Sequence, residues 1–134
     1  MENSKKDNKV LSIIQMMYLE ELGVDTSNAS MFYVKKISPK NEYALLNIEP
    51  IGIIQHIPTF TLHDIIELLP KELEYKGDTY NLVIYASGGL WCVSYSFSDK
   101  FYSYKEFESK SLIEAAYEML CWCAGSNINL QIKP

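Results

Sequence analysis

The chain has 134 residues, enough for one domain and too few for two ordinary ones. A hydrophobic content of 48% excludes a disordered chain, and no apolar run approaches the ~20 residues that a membrane-spanning helix needs. Net charge is −5 and all 12 basic residues are lysine, so the residue type best suited to bidentate contacts with guanine or phosphate is missing.

These numbers set expectations about partners. An acidic, arginine-free chain is a poor candidate for duplex nucleic acid, so no nucleic-acid partner and no membrane partner are expected. The one route to a basic face is Lys5, Lys6, Lys9, Lys35, Lys36 and Lys40, which all fall in the first 40 residues. Three cysteines are an odd number, and the polar stretch Met1 to Lys9 does not read as an export signal. Reduced thiols and a cytoplasmic setting follow as expectations.

Met1 to Asp7 reads as a frayed end. Asn8 to Leu22 reads as a helix, with Asp7 as N-cap and Gly23 at the stop. Its apolar face is Val10, Ile13, Ile14, Met17, Tyr18 and Leu22, which leaves Met16 and Leu19 pointing elsewhere. Met31 to Ile37 and Glu42 to Ile48 read as strands around a Ser38-Pro39-Lys40-Asn41 turn. Pro50, Gly52 and Pro58 interrupt the next apolar stretch, so any strand there is short or at a sheet edge.

Thr61 caps a helix to Leu69, with Asp64 three residues on as a short-armed capping-box partner, and Pro70 ends it. Glu72 to Tyr75, Tyr80 to Ala86 and Leu90 to Phe97 read as a meander, joined by Lys76-Gly77-Asp78-Thr79 and Ser87-Gly88-Gly89. Tyr102 to Phe107 is a possible fourth strand. In the third strand Trp91, Val93, Tyr95 and Phe97 share one face, and Cys92, Ser94 and Ser96 the other. Ser111 and Glu114 form a capping box for a helix to about Ala124, with Gly125 at C′. The tail from Ser126 alternates Ile128, Leu130 and Ile132, as a short strand would.

The expected fold is therefore α+β: one domain over residues 1–134, with an antiparallel meander of three to five strands and helices packed on one face.

Nucleotide-binding and hydrolase signatures are missing from the sequence, and Gly88-Gly89 sits between strands rather than before a helix. His56 and His63 lie seven apart across a proline. Cys121 and Cys123 are two apart on a helix, about 200° around its axis, and cannot easily chelate together. A zinc site would require Cys92, a histidine and carboxylates to converge through the fold. Glu114 and Glu118 share a helix face, either as a solvated stripe or as a carboxylate pair. No catalytic residue, no metal and no cofactor is assigned.

Aromatic residues number 17, and many crowd the meander, as core, as cross-strand pairs, or as contact surface. The last helix carries Leu112, Ala115, Met119, Trp122 and Cys123 on one side. Ile113, Ala116, Tyr117, Leu120 and Ala124 lie on the other, and one sheet layer covers one side only. Met16, Leu19 and Trp122 are therefore candidate interface residues of a homodimer. Asp64, Glu67, Glu72, Glu74 and Asp78 form a candidate acidic patch for a basic protein partner.

Leu68-Leu69-Pro70, Gly88-Gly89-Leu90-Trp91 and the run Ser111 to Leu120, within residues 60–124, resemble small phage- and prophage-encoded proteins of gut bacteria. That resemblance carries no catalytic signature. It implies a non-catalytic interaction protein of a mobile element that binds a protein partner or itself. The alternatives are an acidic inhibitor or immunity-type protein, and a small enzyme with an aromatic-lined pocket.

Overall fold

The computed structural model describes residues 9–36, 42–50, 55–97 and 103–130. The chain is α+β, and it divides into two compact units, Met1–Asp64 and Ile65–Pro134. Residues 1–7 and the turn at 38–41, both singled out in the sequence, lie outside the described residues.

In the first unit, α1 spans Ile13–Glu21, β1 Met31–Lys35, β2 Tyr43–Leu46 and β3 His56–Thr59. The strands form an antiparallel sheet of order β2-β1-β3. Pro58 is tolerated because β3 is an edge strand, where a missing ladder N–H costs least.

Helix α1 departs from expectation at its start. Ser12, not Asp7, is the N-cap: its hydroxyl accepts from the Gln15 amide at 3.1 Å, and the Gln15 side chain accepts from the Ser12 amide at 2.9 Å. Val10 and Leu11, just before it, are not helical. Val10 bridges Thr61, the Leu11 amide donates to the Phe60 carbonyl, and the Leu11 carbonyl accepts from the Tyr33 and Thr59 hydroxyls. These tertiary bonds outcompete another helical turn at residues 9–11. The C-terminus is a Schellman motif around Gly23 at φ 91°, with the Val24 amide donating to the Leu19 carbonyl.

The orientation of α1 is also the reverse of the expected one. Met16 is 1% exposed and Leu19 0%, both core residues like Leu11 and Phe60. Ile14 is 78%, Met17 55% and Tyr18 47% exposed. Two apolar stripes compete on this helix, and the shorter one faces inward because it shares the Schellman end with buried Val24. Met16 and Leu19 are thus core residues, not interface candidates.

Helix α2 (Leu62–Leu68) has the anticipated cap. The Asp64 amide donates to the Thr61 hydroxyl at 3.1 Å, and the Asp64 carboxylate accepts from the Thr61 amide at 2.9 Å. Past Pro70, the Lys71 ammonium donates to the carbonyls of Ile66 and Leu69, satisfying groups left free at the helix end.

The second unit is the meander: β4 Glu72–Tyr75, β5 Asp78–Ser87, β6 Leu90–Ser96 and β7 Ser103–Ser109, in that order across the sheet. Lys76 and Gly77 (φ 53° and 85°) and Gly88 and Gly89 (φ 61° and 81°) form two-residue turns with positive φ at both central positions. That geometry matches the twist of a hairpin. The 14-residue helix α3 (Leu112–Gly125) packs on β6 and β7. Ser111 caps it, accepting from the Glu114 amide. Gly125 is its last helical residue rather than its stop. Asn127, at φ 61°, takes the C′ position, and the Ile128 amide closes the Schellman bond to the Cys123 carbonyl. This closure keeps residues 128–130 out of any strand. Val93 and Tyr95 of β6 are buried, as are Ala115, Met119 and Cys123 on α3 and Ile113, Ala116 and Leu120 on its other side. Both sides of α3 are therefore covered within one chain, and the expectation that a second copy must cover one of them fails.

Candidate functional site

Three features carry chemistry. The first is the outer face of α1, where Ile14, Met17 and Tyr18 follow i, i+3, i+4 spacing, and Glu21 completes the stripe at i+7. An apolar helix stripe of this kind is how short helices anchor in protein grooves.

The second is an aromatic cleft of about 430 Å³ in the second unit, lined by Leu73, Glu74, Tyr75, Tyr104, Trp122, Ser126 and Ile128. Tyr104 is its centre: it stacks on Tyr75 at 4.8 Å and on Tyr80 at 5.1 Å, and meets Trp122 edge-on at 5.7 Å. The Lys76 ammonium lies 5.3 Å from the Tyr75 ring, and that of Lys105 5.8 Å from Trp122. Trp122 is half-buried, one wall of this cleft, and also touches Tyr95 at 6.4 Å.

The third lies on the opposite sheet face, where the register sets Tyr85 against Cys92, Ser94 against Glu106, and Cys92 against Glu108. Glu106 accepts from the Tyr85 hydroxyl at 2.9 Å and from Ser103 at 3.2 Å. Ser94, Ser96 and Ser103 are mutually hydrogen-bonded. The Cys92 thiol reaches a Glu108 oxygen at 3.9 Å. Val83, Tyr85, Ser96 and Ser103 line a cavity of about 260 Å³ beside this network.

Ligand atoms of Cys92, Glu106 and Glu108 all fall within 4.8 Å of one another, so this is where the described residues could hold a divalent metal. The thiol would first have to lose its proton. Burial, and after it the charges of Glu106 and Glu108, push its pKa up. The Glu106 carboxylate that accepts the Tyr85 proton likewise holds that phenol above its ordinary value. Cys123 is pushed up to about 11 by burial, and burial also raises Cys121. None of the three thiols is an activated nucleophile at neutral pH.

The acidic patch is not assembled as expected. Asp64 is buried: its carboxylate accepts from the Ser30 amide and hydroxyl as well as from Thr61. A carboxylate with three internal donors is a structural cap, not a surface charge. Glu72, Glu74 and Asp78 are exposed and Glu67 is half-buried. Asp78 pairs with Tyr75, so strand alternation sets it on the face opposite Glu72 and Glu74. His56 lies 3.5 Å from Glu49, an ion pair when protonated.

The sequence separated Cys92, Ser94 and Ser96 onto one face but did not connect them with the carboxylates. The alternation of Glu106 and Glu108 was the available signal, and the expected fourth strand stopped one residue short of Glu108.

Comparison of the chain with protein families, with curated proteins and with solved structures yields no match.

Proposed function

We propose that the chain is a non-catalytic protein-interaction module of a phage or mobile element, working in the cytoplasm. The outer face of α1 is its contact surface, and the occupant is a protein rather than nucleic acid. The observation that carries this reading is the exposure of Ile14, Met17 and Tyr18 on one helix stripe. A folded chain that leaves an apolar helical stripe in water forgoes about 1.5–3 kcal/mol for each large side chain it could bury. Such patches commonly mark binding surfaces. The raised thiols of Cys92 and Cys123 agree with a role without nucleophilic chemistry. The acidic-inhibitor reading loses support with the burial of Asp64.

The test is a photo-cross-linking residue in place of Met17, irradiated in the native host, with exposed Asn81 as the control position. Protein adducts specific to position 17 are expected. Adduct patterns identical at both positions, or none at 17, would refute the proposal.

The aromatic cleft favours a second reading, a small-ligand binder or enzyme that uses Tyr75, Tyr104 and Trp122. Its signature would be a saturable change in Trp122 emission, in a Trp91→Phe background, on titration with small aromatic compounds. A flat response counts against it.

A further inference from the structure

Independently of what α1 binds, we propose that Cys92, Glu106 and Glu108 form a binding site for a borderline-soft divalent cation, with zinc the ion that fits best. The three donors come from adjacent strands in fixed register. Cys92 of β6 lies directly opposite Glu108 of β7, and Glu106 is its diagonal neighbour. Opposed side chains start about 4.5–5.5 Å apart and diagonal ones about 7–8 Å, a gap that a glutamate spans. One donor atom from each residue falls within 4.8 Å of the other two. The Cys92 sulfur and a Glu108 oxygen are 3.9 Å apart. In a tetrahedral zinc site a sulfur and an oxygen ligand sit about 3.5 Å apart, given bonds of about 2.3 and 2.0 Å. Glu108 is exposed, so a small side-chain rotation closes that difference and leaves a path in from solvent.

The electrostatics of the cluster call for a cation. Glu106 and Glu108 project from one face of β7, and among the described residues no ammonium or imidazole pairs with either. Lys105, their neighbour on the strand, reaches the other face, its ammonium 5.2 Å from the Phe107 ring and 5.8 Å from Trp122. Two carboxylates are thus held beside a buried thiol with no positive charge to offset them. Binding forms a metal–sulfur bond and releases the thiol proton to water, and the sulfur keeps the electron pair. Oxygen-only cations such as calcium and magnesium gain little from a thiolate, whereas zinc takes sulfur and carboxylate together. The Tyr85 and Ser103 hydroxyls both donate to Oε1 of Glu106, which orients that carboxylate and leaves Oε2 to face a metal. Three protein ligands leave a fourth position for water or another small ligand, and the 260 Å³ cavity lined by Tyr85 and Ser103 adjoins it.

Cobalt(II) titration of the purified full chain under reducing conditions tests this. A near-ultraviolet thiolate-to-cobalt band is expected, saturating at one ion per chain and abolished by added zinc. Cys92→Ser should remove the band. Glu106→Gln and Glu108→Gln should each weaken cobalt binding at least about tenfold, and Tyr85→Phe about tenfold with the band retained. Cys121→Ser should change neither band nor affinity. Circular dichroism checks each variant for folding, and Glu108→Gln, at an exposed position, decides the matter if Cys92→Ser does not fold. No thiolate band at saturating cobalt, a band that survives Cys92→Ser, or an affinity that Glu108→Gln leaves unchanged would overturn the site.

Discussion

The inverted orientation of α1 makes a sharp contrast between two neighbouring leucine-sized side chains. Leu19 is fully buried and supplies the carbonyl that receives the Val24 amide at the helix end. Leu19→Ala removes three buried carbon atoms and leaves a cavity that the Schellman closure cannot easily collapse, because Val24 is itself buried and held by that bond. The expected cost is about 3 kcal/mol, within the usual range for buried Leu→Ala changes. Ile14→Ala, on the outer face, removes a side chain already in water and places a better helix former there, so its effect should stay within about 0.5 kcal/mol. Urea unfolding followed by circular dichroism, at concentrations low enough to exclude self-association, gives both values as midpoint shifts. If Ile14→Ala costs as much as Leu19→Ala, the helix faces the other way and the contact surface moves with it.

Two further outcomes follow from buried polar groups. Asp64→Ala deprives the Ser30 and Thr61 amides of their acceptor and should destabilise the protein by about 1–3 kcal/mol in the same urea experiment, and a neutral result would mean that the carboxylate is solvated. Burial holds the Cys123 thiol at about 11 against an ordinary value near 9.0, so the folded state keeps a proton that the unfolded chain releases. The stabilising contribution is complete below the ordinary value and is lost as pH rises from there toward 11. Between pH about 8 and about 10.5 the urea midpoint should fall more for the parent than for Cys123→Ala, and parallel curves would refute the burial of that thiol.

Much of this was legible locally. The Thr61–Asp64 and Ser111 caps, both hairpin turns and the strands of the meander depend on residues a few positions apart, and the structure places them where the sequence suggests. The face of α1 was not legible, because Met16 and Leu19 compete with Ile14, Met17 and Tyr18 at helical spacing and local periodicity does not rank them. The bonds that keep Leu11 out of the helix come from Phe60, Thr59 and Tyr33, far along the chain. The meeting of Cys92 with Glu106 and Glu108 depends on the β6–β7 register, which carries an irregularity at Tyr95 and Ser96. Strand alternation assigns faces but says nothing about which residue lies opposite.

The order of strands in the meander also has a kinetic meaning. Each strand from β4 to β7 pairs with its successor in sequence, and two of the three links are two-residue turns. The sheet of the first unit is different, since β3 returns to β1 across the twenty residues 36–55. Lengthening a loop from two residues to twenty adds about 2 kcal/mol of closure entropy. Residues 72–109 can therefore zip up hairpin by hairpin, each closure making the next one short, while β3 must be captured from a distance. In a nascent or refolding chain the C-terminal sheet has the shorter search, and the β1–β3 pairing carries the slower step.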